Sequence, residues 1–246
     1  SRPALALVAT SALGVLAGFV ALEAAYDQDY RLSFALLALA MLIDASDGTL
    51  ARKVDVKSVI PWMDGALLDN IVDYLTYVIV PVAIFVQPGI LPDGMQWTAY
   101  FPLIASLYGF SRTDAKGTAD HYFRGFPSYW NVMAFYYVTL ASAPIVNLVL
   151  MLIAAVGVFV PMRWVYVSRA DRDRTQGVVL GVIWGIMGSV MIARLPEKQP
   201  VLGTISLFYP IYYTAASVAF HIRSTRRERS GAAPANASFD ETTESG

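Results

Sequence analysis

The feature that most constrains this chain is its succession of apolar stretches, each near the length needed to cross a lipid bilayer. A crossing helix needs about 20 mostly apolar residues, fewer or more with tilt. Eight such stretches follow one another, at roughly 3–25, 32–50, 62–86, 96–112, 127–143, 145–167, 176–194 and 201–222. Hydrocarbon offers no hydrogen-bond partner, so a spanning segment must satisfy its backbone internally, as a helix does. The expected fold is therefore all-α, a polytopic membrane helix bundle of about eight transmembrane helices. The fifth and sixth stretches are divided only by a tight turn around Ser142-Ala143-Pro144, which leaves seven as the alternative count. The first follows Arg2 and could pass for a signal peptide, but seven further apolar runs mark it as a transmembrane helix.

Composition agrees with a membrane setting. Charged residues make up 15% of the 246 and hydrophobic residues 56%, whereas soluble domains carry about a quarter charged residues. The basic residues set the orientation. With the N-terminus inside, 15 of the 18 Lys and Arg fall on the cytoplasmic side, leaving only Arg31, Arg194 and Lys198 outside. Both termini are then cytoplasmic, which also supports the even count. The expected organisation is one transmembrane domain over 1–229 and a disordered cytoplasmic tail over 230–246, rich in Ala, Ser, Glu and Thr. No nucleic-acid partner is expected; membrane lipids are.

Chemistry is limited by what is missing. There is no cysteine, and the two histidines are His121 and His221, so any metal must be held by oxygen. Oxygen ligands favour a hard cation such as Mg²⁺ or Mn²⁺. The oxygen donors are conspicuous. Asp44 and Asp47 stand three apart on the second apolar stretch, and Asp69 and Asp73 four apart on the third. Either spacing puts both carboxylates on one face of a helix. The pairs lie near the cytoplasmic ends of antiparallel neighbours, where the two faces can converge. Acids merely flanking a span would explain Asp47, but Asp73 lies well inside an apolar helix, where ionisable groups are functional by default. Four carboxylates in a low-dielectric setting need cations, and two divalent ions would suit displacement at phosphorus. Gly48 and Gly65 beside them would admit a bulky ligand or a neighbouring helix. Arg52 could fork onto a phosphate, or simply anchor the helix as Lys53 does.

The string Asp44-x-x-Asp47-Gly48-x-x-Ala51-Arg52, followed by Gly65-x-x-x-Asp69-x-x-x-Asp73, resembles the signature of the CDP-alcohol phosphotransferases. These membrane enzymes move a phosphoryl-linked group from a CDP carrier to an alcohol. The twelve residues between Arg52 and Gly65 exceed the usual family spacing and are similar to the bacterial phosphatidylcholine synthase branch. Tyr108-Gly-Phe-Ser-x-x-x-Ala115-Lys116, Gly125-Phe-Pro127-Ser-Tyr129-Trp130-Asn131 and Phe159-Val-Pro161 resemble segments of the same branch. The resemblance implies a six-helix core with two added helices, and transfer of the phosphatidyl group from CDP-diacylglycerol to choline with release of CMP. It makes Asp44, Asp47, Asp69 and Asp73 metal ligands, with Asp73 also the candidate general base. It sets Gly48, Arg52 and Gly65 at the CDP-diacylglycerol head and Thr10-Ser11 at the cytidine. It also implies a homodimer and an inner-membrane enzyme working from the cytoplasmic face.

Choline is a permanent cation, which aromatic faces can hold. Tyr129 and Trp130, with Tyr122 and Asn131, are the candidates for that site; an interfacial aromatic belt is the competing explanation. Two other readings stand beside this one. A sister enzyme would use serine, inositol phosphate or glycerol phosphate as acceptor. A cation transporter would place its carboxylates nearer the midplane.

Overall fold

The computed structural model describes residues 2–53, 64–112, 116–117, 122–140, 142–165 and 174–229. The loop after Lys53, His121 and the tail from Ser230 lie outside the described residues. So do the side chains of Thr10, Asp47, Gly48 and Arg52, whose backbone positions on their helices are described.

Among the described residues, eight helical rods follow in chain order, one for each apolar stretch. They are α1 (Arg2–Tyr26), α2 (Tyr30–Lys53), α3 (Gly65–Phe85) and α4 (Tyr100–Ser111, entered through a 3₁₀ turn at Gln96–Ala99). Then come α5 (Trp130–Leu140), α6 (Pro144–Phe159), α7 (Arg174–Arg194) and α8, which runs from Pro200–Ser206 into Phe208–Arg229. Three segments among the described residues have the length and hydropathy to cross a membrane: Gly65–Phe85, Thr175–Arg194 and Pro200–Arg226. Shorter apolar helices cover Ser11–Tyr26 and Pro144–Phe159. Large aliphatic side chains such as Ile153, Ile183, Ile186 and Ile211 point outward on these rods, as an apolar solvent requires and water would not tolerate over such an area. The chain is an integral membrane protein.

The expected 127–143 stretch is shorter than anticipated. It holds only the 11-residue α5, because Ser128 takes a left-handed φ of 57° just before it and Pro144 opens the next helix. At about 1.5 Å per residue, that rod falls well short of the hydrocarbon thickness.

The all-α expectation needs one correction. Strands β1 (Lys116–Gly117), β2 (Tyr122–Arg124) and β3 (Arg163–Val165) form a small antiparallel sheet in the order β1-β2-β3. Strands this short lie below the length at which alternation can be recognised. The free edge of β3 is covered by α8. The backbone N–H of Arg163 donates to His221 Nδ1 (3.3 Å), and that of Val165 to Ser217 Oγ (3.2 Å). Two residues along a strand and four along a helix span nearly the same distance, so an i, i+4 pair matches alternate strand donors.

Within the bundle, α1 packs on both α2 and α3. Ala21 and Ala25 are fully buried there, and Ser33 Oγ donates to the Ala21 carbonyl at 2.9 Å. The segment between β2 and α5 is fastened at several points. Gly125 N–H donates to Met162 O (2.9 Å), and Phe126 N–H to Gly157 O (3.0 Å). Ser106 Oγ lies 3.0 Å from Ser128 Oγ and accepts the Trp130 indole N–H at 2.7 Å. Gly125 has a φ of 85°, and a Cβ there would collide with the Val158 carbonyl oxygen. Gly125→Ala should therefore cost more than about 2 kcal/mol, combining left-handed strain with overpacking against backbone. A thermal shift assay in detergent should show the loss as a lower Tm.

Candidate active site

The site begins with the start of α3. The Asp64 carboxylate caps this helix, accepting from the backbone N–H groups of Ala66 (2.9 Å) and Leu67 (3.2 Å). Such a cap fixes the first turn, and Asp69 and Asp73 follow on the next two. Gly65 is the first residue inside the cap and is half-buried.

Depth is set by α1. A Cβ on Gly14 would lie 3.1 Å from Val72 Cγ1, and one on Gly18 would lie 2.8 Å from Leu75 Cδ2 and 3.0 Å from Thr76 Cγ2. Gly14 and Gly18 form a G-x-x-x-G stripe, which lets helices approach closely in a membrane. The two helices run parallel in this register, so one turn before Gly14 places Ser11 near the height of Asp69. The antiparallel α1–α2 pairing at Ala21 and Ser33, carried eleven residues further, brings Asp44 opposite Thr10. By this register Thr10 and Ser11 fall near the height of Asp44 and Asp69, with Asp73 one turn deeper.

Here the carboxylates of Asp44, Asp69 and Asp73 converge, each offering an oxygen within 4.8 Å of the others. All three are half-buried. Three carboxylate oxygens this close are candidates to share one hard cation, which binds oxygen ligands at about 2.0–2.6 Å. The donor set is all carboxylate oxygen, as Mg²⁺ or Mn²⁺ prefers. Gly48 and Arg52 continue α2 toward its C-terminal end, with Asp47 one turn after Asp44.

Beyond Asp73, α3 departs from α geometry. Tyr74–Ile79 is a π turn, and the Val80 N–H donates to the carbonyl of Leu75, five residues back. The cause is Pro81, which has no N–H to give and whose ring would crowd the carbonyl four residues before it. The widened turn carries Tyr77, four residues past Asp73.

The four aromatic and amide candidates are separated. Tyr129 lies beside the turn that follows Asp73, its ring centroid 6.3 Å from that of Tyr77. Trp130 is fully enclosed beneath Phe126 and engaged with Ser106, so it presents no face to a ligand. Tyr122 lies in β2, its ring flanked by the guanidinium groups of Arg163 (5.0 Å) and Arg124 (5.9 Å). Asn131 turns its amide toward Met41 Sδ (3.7 Å), in an apolar groove between α2, α5 and α7. Sequence reasoning missed Tyr77, Gly14 and Gly18. The glycines carried a readable signal in their spacing.

Acidic residues from two helices of a membrane bundle thus meet at a candidate metal site. The CDP-alcohol phosphatidyltransferase family matches residues 3–160, and the chain belongs to that family. Its members act on an alcohol acceptor. The chain is 42% identical over 200 residues to a phosphatidylcholine synthase of Legionella pneumophila, covering 78% of each protein. It is 37% identical to one of Pseudomonas aeruginosa, over 79% of this chain and 82% of that one. To one of Borreliella burgdorferi it is 33% identical, over 88% and 94% respectively.

The α1–α3 contact generates a test. Gly18→Leu should cost about 1–3 kcal/mol through overpacking. By displacing α3 it should also lower CMP release from CDP-diacylglycerol by tenfold or more. Steady-state assays alongside a melting curve would show both.

Proposed function

We propose that this chain is a phosphatidylcholine synthase of the inner membrane, working from the cytoplasmic face. It transfers the phosphatidyl group of CDP-diacylglycerol to choline and releases CMP. The observation that carries this reading is the convergence of Asp44, Asp69 and Asp73 in a chain similar, over most of its length, to proteins of that name. The orientation is supported by the 15 basic residues that fall on one side.

The carboxylates of Asp44, Asp47, Asp69 and Asp73 would hold two divalent cations, Mg²⁺ or Mn²⁺. Such ions, when bound, neutralise the donor's diphosphate and the leaving CMP. The chain's own groups orient and exchange protons. Arg52 and the Cβ-free edge at Gly48 and Gly65 receive the donor head, and Thr10 and Ser11 line the cytidine. The choline hydroxyl oxygen attacks the phosphatidyl phosphorus, and the phosphorus–oxygen bond to CMP breaks. The hydroxyl proton passes to Asp73, the deepest of the carboxylates on α3, acting as general base.

Asp73→Asn should abolish turnover and leave the melting profile of the purified protein intact. The assay offers CDP-diacylglycerol with labelled choline, serine, inositol or glycerol phosphate separately. CMP release with choline alone is expected. Release with another acceptor would instead identify a sister enzyme, and near-normal activity of Asp73→Asn would remove the base assignment.

A further inference from the structure

We infer that Tyr77 and Tyr129 form the seat for the quaternary ammonium of the acceptor, beside the carboxylate that takes the hydroxyl proton. This rests on choline being the acceptor. Three observations support it.

The first is position. Tyr77 follows Asp73 by four residues on α3, and its ring neighbours that of Tyr129. In an unbroken α-helix, Asp69, Asp73 and Tyr77 would each drift by about 40° around the axis. The π turn has more residues per turn, at roughly 80° each, and returns Tyr77 almost in line with Asp69. An acceptor whose hydroxyl reaches Asp73 therefore has its cationic end, one ethylene link away, alongside the Tyr77 ring.

The second is ring geometry. The Tyr77 and Tyr129 centroids stand 6.3 Å apart with the planes at 47°. Two tilted rings can present faces to one cation lying within about 6 Å of each. Behind them, Tyr213 packs on Tyr129 at 5.8 Å and stacks on Trp164 at 5.7 Å. Phe126 contacts Tyr129 at 6.4 Å and Trp164 at 5.6 Å. These residues come from α3, the loop before α5, β3 and α8, so the pair is buttressed on several sides. The hydrogen bonds at Gly125, Phe126 and Ser128 fix the loop that carries Tyr129.

The third is chemical selectivity. A trimethylammonium group has no N–H and needs no acceptor, so ring faces suit it. The attraction of those faces persists when cations occupy the aspartates. A primary ammonium keeps its demand for hydrogen-bond acceptors, and a phosphorylated acceptor would meet electron-rich faces and carboxylates.

The test is steady-state kinetics on the purified full chain in detergent, with choline and CDP-diacylglycerol varied in turn. Tyr77→Leu and Tyr129→Leu should each raise the choline KM by about three- to tenfold, while the KM for CDP-diacylglycerol stays within about twofold. Tyr77→Phe and Tyr129→Phe keep a ring and should stay within about threefold of wild type for choline. Preference for choline over N,N-dimethylethanolamine should shrink in the Leu variants. Equal KM changes for both substrates would overturn the seat. So would Phe variants as impaired as Leu, which would make the hydroxyls the contact. Should a Leu variant fail to fold, the Phe pair decides alone: a tenfold rise in choline KM there contradicts the proposal. If the wild-type protein makes no product from choline, it is the acceptor that is wrong. Wild-type turnover with an unmoved KM in the Leu variants removes only the seat.

Discussion

The structure depends on a charge problem. Three carboxylates lie within 4.8 Å of one another, half-buried, in a bundle built for hydrocarbon. Such a cluster is unstable alone, because desolvation and mutual repulsion both oppose ionisation. A bound cation removes both penalties at once. The same arrangement that would be a liability in a scaffold is then a place where a diphosphate can be held and broken.

The rest of the fold serves to keep that cluster together. The stripe at Gly14 and Gly18 lets α1 sit tightly on α3 beside Asp73, and the α1–α2 hairpin fixes how far down Asp44 falls. The Asp64 cap sets where α3 begins. Pro81 then forces the π turn that follows the last carboxylate. On the far side, the Ser106–Ser128–Trp130 hydrogen bonds hold the loop that sets Tyr129 beside Tyr77. Local chemistry in four separate segments converges on one small volume.

Much of this was legible in the residues. Apolar run length located the described helices, and the spacing of Asp69 and Asp73 announced a shared face, which the structure brings against Asp44. Their setting with Gly48, Ala51, Arg52 and Gly65 marked the family that the comparison then matched. The illegible parts depend on distant partners. Trp130 was a candidate for the choline site, and its enclosure depends on Ser106, 24 residues away. Tyr122 looked available, and its neighbours are Arg124 in its own strand and Arg163 across the ladder. The role of Tyr77 hinges on a change of helical pitch that hydrophobic periodicity does not encode. Three strands of two or three residues carry too little alternation to be read.

The most direct measurement is Mn²⁺ binding to the metal-stripped protein, followed by electron paramagnetic resonance and paired with CMP release at each Mn²⁺ concentration. The account predicts saturable binding of one or two ions that rises in step with activity, and loss of both in Asp44→Asn and Asp69→Asn. Full turnover in the metal-stripped protein, or Mn²⁺ binding unchanged by those substitutions, would contradict it.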